Sequence, residues 1–209
     1  MIFSPKKTGK FNENLFIIKD IIANYFFYKK GDSSILIDTG YGMSSPDKFL
    51  KKHELDKSSV KAIFLTHSDI DHMGGLKYFP DIPVYLGKGE EKLIKREIPR
   101  FIGIKYNKKI KREYKLISKE NIIIGDIKIE AIPTPGHTLG HTAYIIDNRY
   151  MFTGDLLKIK NRKIFPFYKI LNMDNKKVEE SVNLIMNLTT DKILFTAHFG
   201  YIDFKNEKQ

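Results

Sequence analysis

The run His67-Ser68-Asp69-Ile70-Asp71-His72 constrains this chain more than any other stretch. Four of its six residues carry an imidazole or a carboxylate able to bind a metal ion. It follows the apolar segment Ala62-Ile63-Phe64-Leu65 and leads into Gly74-Gly75. A strand that stops in a loop dense with nitrogen and oxygen donors is the beginning of a metal site, and the remaining ligands must come from elsewhere in the chain.

Composition narrows what such a site can be. None of the 209 residues is a cysteine, which excludes a disulfide scaffold, a thiolate zinc site and a cysteine nucleophile. Any metal must be held by His and carboxylate. The length suits one domain, 1–209, with 42% hydrophobic and 29% charged residues as in an ordinary soluble protein. Met1 to Lys10 has no apolar core of signal-peptide length, and the apolar stretch Ile21–Tyr28 is far too short to span a membrane. A cytoplasmic protein with no membrane partner is expected.

The formal net charge is +11, and lysine clusters in Lys105-Tyr106-Asn107-Lys108-Lys109-Ile110-Lys111-Arg112. This balance fits an anionic small substrate or a nucleic acid, and equally a solvated lysine-rich face. Tyr106 is the one aromatic within the cluster, so stacking on single strands is poorly supported.

Along the chain, Ile17-Ile18, Tyr25–Tyr28 and Ser34–Asp38 read as strands of a meander. Pro46 and Asp47 open a helix to about His53, and Val60–Leu65 is the strand that delivers the opening run. A short helix from Gly74, a strand Pro83–Leu86 and a helix Glu90–Ile98 follow. Residues 99–115 are basic and irregular. Asn121–Ile124 and Ile127–Ile132 make a hairpin around Gly125-Asp126. Ala143–Ile146 and Tyr150–Thr153 are strands. Residues 156–173 fit no clean period. Asp174 caps a helix through Val178, Val182, Ile185 and Leu188, and a strand Lys192–Phe195 closes the pattern. Two strand groups with helices between and after them predict two sheets packed face to face with helices outside.

Further donors recur in the same context, just after a strand and beside small residues. They are His137 in Pro133-Thr134-Pro135-Gly136-His137-Thr138, Asp155 after Thr153-Gly154, and His198 after Thr196-Ala197. With His67, Asp69, Asp71 and His72 they make seven candidate ligands. His141 reads as a supporting residue and His53 as a solvated one. Phe165, Phe167 and Tyr168 are candidates for a pocket wall. Lys158, Lys160, Arg162 and Lys163 are candidates to meet an anionic substrate.

The order His-x-Asp-x-Asp-His, Thr-Pro-Gly-His-Thr, Thr-Gly-Asp and a late Ala-His resembles the metallo-β-lactamase fold superfamily across nearly the whole chain. The resemblance implies an α/β fold, a four-layer αββα sandwich carrying two divalent metal ions at the sheet edges. It implies that His67, Asp69 and His137 hold the first ion, that Asp71, His72 and His198 hold the second, and that Asp155 bridges them. The family pattern has His where this chain has Asp69. Zinc is the expected metal, and the harder oxygen of Asp69 also favours iron or manganese. Flavodiiron proteins, a related branch, carry Glu at that position, but the flavodoxin domain of that branch has no counterpart in this chain. Asp69 adds one negative charge to the usual set.

The implied chemistry is hydrolysis by a metal-bound hydroxide. Two ions about 3.5–4 Å apart lower the pKa of a shared water toward about 7. Asp71 steers the nucleophile or accepts its proton. The expected activity is that of a metal-dependent hydrolase acting on a small ester, thioester or lactone. Glyoxalase II-type thioesterases share the motif order, yet longer members carry a C-terminal helical domain, and only eleven residues follow His198 here. The alternatives are a phosphodiesterase or nuclease, favoured by the positive charge, and a non-catalytic metal-binding protein.

Overall fold

The structure, a computed structural model, describes residues 3–101, 110 and 112–205. Of the basic cluster, 105–109 and Lys111 lie outside the described residues.

Seven strands form the first sheet in sequence order: β1 (Gly9–Lys10), β2 (Leu15–Asp20), β3 (Ala23–Lys30), β4 (Ser33–Ile37), β5 (Val60–Leu65), β6 (Val84–Gly87) and β7 (Tyr114–Ile117). The first four pair antiparallel, and β4 to β7 run parallel. Between them lie three helices, α1 (Asp47–Lys52), α2 (Ile70–Met73) and α3 (Glu90–Ile94). The second sheet uses β8 (Glu120–Ile124), β9 (Ile127–Pro133), β10 (Thr142–Ile146), β11 (Tyr150–Phe152), β14 (Ile193–Thr196) and β15 (Gly200–Asp203). Its spatial order is β15-β14-β11-β10-β9-β8, and only β11 and β14 pair parallel. A separate hairpin, β12 (Leu157–Lys160) and β13 (Lys163–Pro166), precedes the long helix α4 (Asn175–Met186).

The period-2 alternation of strand side chains builds the layers. Leu15, Ile17, Phe26, Tyr28, Ile35, Ile37 and Phe64 face the second sheet, where they meet Ile129, Ala131, Tyr144, Phe152 and Phe195. Their neighbours Phe16, Ile18, Phe27, Leu36, Ile63 and Leu65 face outward and are covered by Leu50, Met73, Leu76 and Ile94 from the helical segments. On the far side, Ala143, Ile145, Met151 and Leu194 are covered by Val178 and Ile185 of α4. Both sheets are thus apolar on both faces, which is the αββα sandwich that the strand and helix order predicts. No described helix is long and apolar enough to cross a membrane.

Three sequence expectations need correction. The helix expected over Glu90–Ile98 ends at Ile94, since Arg96 takes a left-handed conformation (φ 59°) that stops it. The segment 156–173, which shows no clean period, contains the β12–β13 hairpin. Its two-residue turn, Asn161-Arg162, has φ of 50° and 60°, the left-handed pair that matches strand twist. The strand near Lys192 is followed by one more, β15, which pairs with it.

The turn after β10 ties the two sheets together. Asp147 accepts hydrogen bonds from the Tyr28 hydroxyl (2.7 Å) and the Lys30 ammonium (3.0 Å) of the first sheet, and from the Lys128 amide (3.0 Å) of the second. Burial pushes its carboxyl up, but the bonds from Tyr28, Lys128 and Lys30 outweigh this and hold it below the usual carboxylate range. A depressed folded-state pKa contributes stability above the unfolded value and loses it as pH falls through the folded one. Asp147→Asn keeps a residue that tolerates the left-handed turn (φ 48°). It is expected to lower unfolding free energy by about 1 kcal/mol at pH 7. The deficit should close in urea melts as pH drops below about 4.

Candidate metal centre

All seven candidate ligands arrive at one rim of the sandwich, each from the end of a strand. β5 stops at Leu65, whose carbonyl accepts from the Tyr144 hydroxyl (2.8 Å). Thr66 then bonds both sheets: its carbonyl accepts from the Thr142 amide (2.9 Å), and its amide donates to Asp38 Oδ1 (2.7 Å). His67 follows directly, and α2 starts with Asp69 at its cap and carries Asp71 and His72 in its single turn. Gly74 closes that turn against the 38–44 loop, where an added Cβ would lie 2.0 Å from the Tyr41 carbonyl oxygen. His137 stands in the loop after β9, Asp155 after β11 and His198 after β14. Gly154 presents Asp155 from a left-handed backbone (φ 49°), and a side chain there would collide with Thr66 and His141.

The donors fall into interlocking groups whose ligand atoms lie within 4.8 Å of one another: His67, Asp69 and His137; Asp71, His72 and His198; and His67, His72 and Asp155. Asp69 Oδ2 is 3.4 Å from the Nε2 atoms of both His67 and His137. Asp71 Oδ2 is 3.4 Å from His198 Nε2. Asp155 lies between, with Oδ1 3.1 Å from His198 Nε2 and 3.4 Å from His72 Nε2, and Oδ2 3.6 Å from His137 Nε2. One oxygen of Asp155 therefore faces each side of the site.

Every inward-facing imidazole is held from behind through Nδ1. His72 Nδ1 donates to Asp38 Oδ2 (2.9 Å), His198 Nδ1 to the Ile22 carbonyl (2.6 Å), and His137 Nδ1 to Asn172 Oδ1 (3.1 Å). His67 Nδ1 donates to Thr66 Oγ1 (3.1 Å), whose own proton goes to Asp38. The network assigns these tautomers, and it leaves Nε2 of each ring aimed into the site, the arrangement that supports metal ligation. Burial pushes His198 down, but Asp155 and Asp71 outweigh it and raise it to about 10. His72 is likewise held well above its ordinary range by Asp38, Asp155 and Asp71 in spite of burial. An ion held on that side would displace their protons.

Sequence reading misses three residues that shape the site. Asp38 sits in a strained left-handed conformation (φ 58°) and braces both Thr66 and His72. Glu90, fully buried, accepts from the Ser68 amide (2.9 Å), the Ser68 hydroxyl (2.5 Å) and the Gly140 amide (2.9 Å). Arg100, also buried, forks onto Asp69, with Nε 2.9 Å from Oδ1 and Nη2 2.9 Å from Oδ2. The extra charge of Asp69 is therefore balanced by a guanidinium of the same chain. Burial pushes the Asp69 carboxyl up, but His137, His67 and Arg100 outweigh it and hold it well below the usual range.

The other candidates separate cleanly. His141 stands behind the site: its Nδ1 donates to Thr134 Oγ1 (2.8 Å) and its Nε2 accepts from the Asp155 amide (3.3 Å). Burial, then the nearby His67 and His137, push it well below its ordinary range, which suits that acceptor role. His53 packs on the Phe49 and Phe16 rings in the outer layer. Phe167 lies edge-on to His137 (5.2 Å between centroids), and Phe3 lies 4.5 Å from His198. Tyr168 adjoins Phe167 and carries the Lys158 ammonium 4.4 Å above its ring. Phe165 is exposed on the hairpin.

The chain is similar to known proteins over most of its length. The profile of the metallo-beta-lactamase superfamily matches residues 18–198. The chain is 30% identical over 194 residues to a hydroxyacylglutathione hydrolase of Buchnera aphidicola subsp. Schizaphis graminum, which covers 87% of this chain and 63% of that protein. A second hydroxyacylglutathione hydrolase, from Buchnera aphidicola subsp. Baizongia pistaciae, is 30% identical over 193 residues, covering 86% and 64%. The chain thus spans less than two thirds of these relatives' length. The solved metallo-beta-lactamase from Pontibacter korlensis superposes with a TM-score of 0.74 at 18% identity, covering 95% of this chain and 94% of that one, a likeness of fold.

Glu90 joins the loop bearing His67 to the loop bearing His137, so its loss is felt in both. Glu90→Ala removes the acceptor shared by the Ser68 amide, the Ser68 hydroxyl and the Gly140 amide and is expected to lower stability by about 3 kcal/mol in urea unfolding. Metal content of the purified variant should fall with it.

Proposed function

The chain belongs to the metallo-β-lactamase superfamily, and on that footing we propose that it is a metal-dependent hydrolase of a small thioester, ester or lactone. One observation carries the metal reading. Nε2 of His67, Nε2 of His72 and Oδ1 of Asp155 are buried without a hydrogen-bond partner, and the three converge. Each such atom costs about 1–3 kcal/mol, so three in one spot fit a cation that all of them contact. His67, Asp69 and His137 would hold one ion, Asp71, His72 and His198 a second, with Asp155 between them. Zinc suits this donor set, and the oxygen of Asp69 makes iron or manganese competent on its side. Bound there, divalent ions would activate a water and polarise the oxygen of the bond to be cleaved.

The chain's own residues supply the rest. Asp71 has more exposed side-chain surface (15%) than Asp69 (9%) or Asp155 (6%). It is the carboxylate placed to take the proton of the attacking water and pass it to solvent or to the leaving group. Asp38, Thr66 and His141 fix the imidazoles and the Asp155 turn before substrate arrives. Phe3, Phe167 and Tyr168 provide an apolar wall that keeps bulk water from the acyl group.

A hydroxyacyl thioester of glutathione is the first substrate to test, by likeness to the curated relatives. Its carboxylates suit the +11 charge of the chain and Lys158, held over Tyr168 beside the wall. The same charge supports the second reading, a phosphodiesterase or nuclease.

Purified chain should hydrolyse S-lactoylglutathione in a thioester absorbance assay. A chelator is expected to reduce the rate by about a hundredfold or more, with recovery on adding Zn²⁺ or Mn²⁺, and Asp155→Ala by about a thousandfold. Cleavage of a phosphodiester with the thioester, ester and lactone left intact would shift the assignment to the second reading. Metal uptake with no turnover of any of these would leave a binding protein.

A further inference from the structure

Arg100 does more than balance Asp69. Its side chain is fully buried, and its guanidinium stacks 4.5 Å from the centre of the Phe101 ring. Nε lies 2.9 Å from Asp69 Oδ1 and 3.1 Å from Oδ2. Nη2 lies 2.9 Å from Asp69 Oδ2, 2.9 Å from the Leu171 carbonyl and 3.0 Å from His137 Nε2. The guanidinium is therefore wedged among two of the three residues that would hold the first ion.

The two ligands differ in what they can share. A carboxylate has about four lone-pair sites on its two oxygens, so Asp69 can accept the fork of Arg100 and still offer a lone pair to a cation. His137 cannot. Its Nδ1 proton goes to Asn172 Oδ1, which leaves Nε2 a single lone pair. An N–H of Arg100 and a metal ion compete for that pair. The contact is also one that Arg100 can give up, because Nη2 has two protons and three acceptors within reach. Released from His137, it keeps Asp69 and Leu171. On the other side of the site, the described contacts of the ligand imidazoles include no guanidinium: His198 Nε2 faces the carboxylates Asp155 (3.1 Å) and Asp71 (3.4 Å), and His72 Nε2 lies 3.4 Å from Asp155.

We propose that Arg100 is a built-in competitor for metal at the His67–Asp69–His137 group: it lowers the affinity of that group alone and must release His137 before an ion is held there. This rests on the metal-site reading above. It gives the chain two groups of unequal character, one guarded by a guanidinium and one whose imidazoles face carboxylates.

The test is Zn²⁺ titration of the metal-stripped full chain against a chromophoric chelator, with ions per chain counted after gel filtration. His67→Asn and Asp71→Asn assign each binding class to its group. Arg100→Gln removes the charge and the fork, and Arg100→Lys keeps the charge as a partner for Asp69. Circular dichroism melts of the stripped proteins confirm that each variant is folded.

Arg100→Gln is expected to tighten the class lost in His67→Asn by about tenfold or more, with the class lost in Asp71→Asn unchanged. Arg100→Lys should fall between Arg100→Gln and the parent. A first-group affinity that is unchanged in Arg100→Gln overturns the proposal. One that falls also overturns it, and makes Arg100 a residue that positions Asp69 for the metal. If the parent chain takes up no metal in either group, the hydrolase reading fails together with the proposal. A failure confined to Arg100→Gln leaves the hydrolase reading standing.

Discussion

The carboxylates Asp38, Asp69, Glu90 and Asp155 are all buried at one rim of this sandwich, and the local structure depends on what meets each of them. A buried carboxylate with no partner is expensive enough to unfold the loop that carries it. Asp38 is met by Thr66 and His72, Glu90 by Ser68 and Gly140, and Asp69 by Arg100, while Asp155 Oδ1 has no hydrogen-bond donor and lies 3.1 Å from His198 Nε2 and 3.4 Å from His72 Nε2. These pairings run between loops far apart in sequence. They fix the rim in the way that apolar packing fixes the body.

The division of labour follows from strand geometry. Within the central strands both faces are largely covered, so most positions there serve packing and few are free for chemistry. Only where strands stop can side chains turn toward each other without disturbing a layer. The loops there use small residues for close approach, as where Gly74 meets Tyr41 and Gly154 meets Thr66. The ligand-type residues sit two to seven positions beyond those strand ends. Their orientation comes from hydrogen bonds made behind them, at Nδ1 of each imidazole, while Nε2 is left for the site.

This explains what was legible in the sequence. His67, Asp69, Asp71, His72, His137, Asp155 and His198 stand out because each follows an apolar β-rich run and has small neighbours, and the structure brings all seven together. The sandwich was legible because its central strands are continuous apolar runs bounded by turn residues. Glu90 and Arg100 were not, for a common reason. Each lies among other charged residues, Glu90 beside Glu91 and Lys92, Arg100 downstream of Lys95, Arg96 and Glu97. Periodicity and composition cannot say which charge in such a run turns inward. The β12–β13 hairpin escaped because four-residue strands of alternating Lys and Ile give too short a pattern to separate from a loop.

Asp69 and Arg100 belong in one argument. Replacing an imidazole by a carboxylate in a buried donor set brings in a charge that the neutral ligand did not carry. That charge needs a second cation besides any metal, or it must be desolvated unpaired. Arg100 meets this need from the segment after α3, with a planar fork that matches the carboxylate in two places, a geometry a lysine ammonium does not reproduce. The solution has a consequence. A cation close enough to neutralise Asp69 is close enough to touch the ligands beside it, and Nη2 reaches His137. Within this chain the carboxylate of Asp69 and the guanidinium of Arg100 therefore have to be considered together, since the cation that neutralises Asp69 also touches His137.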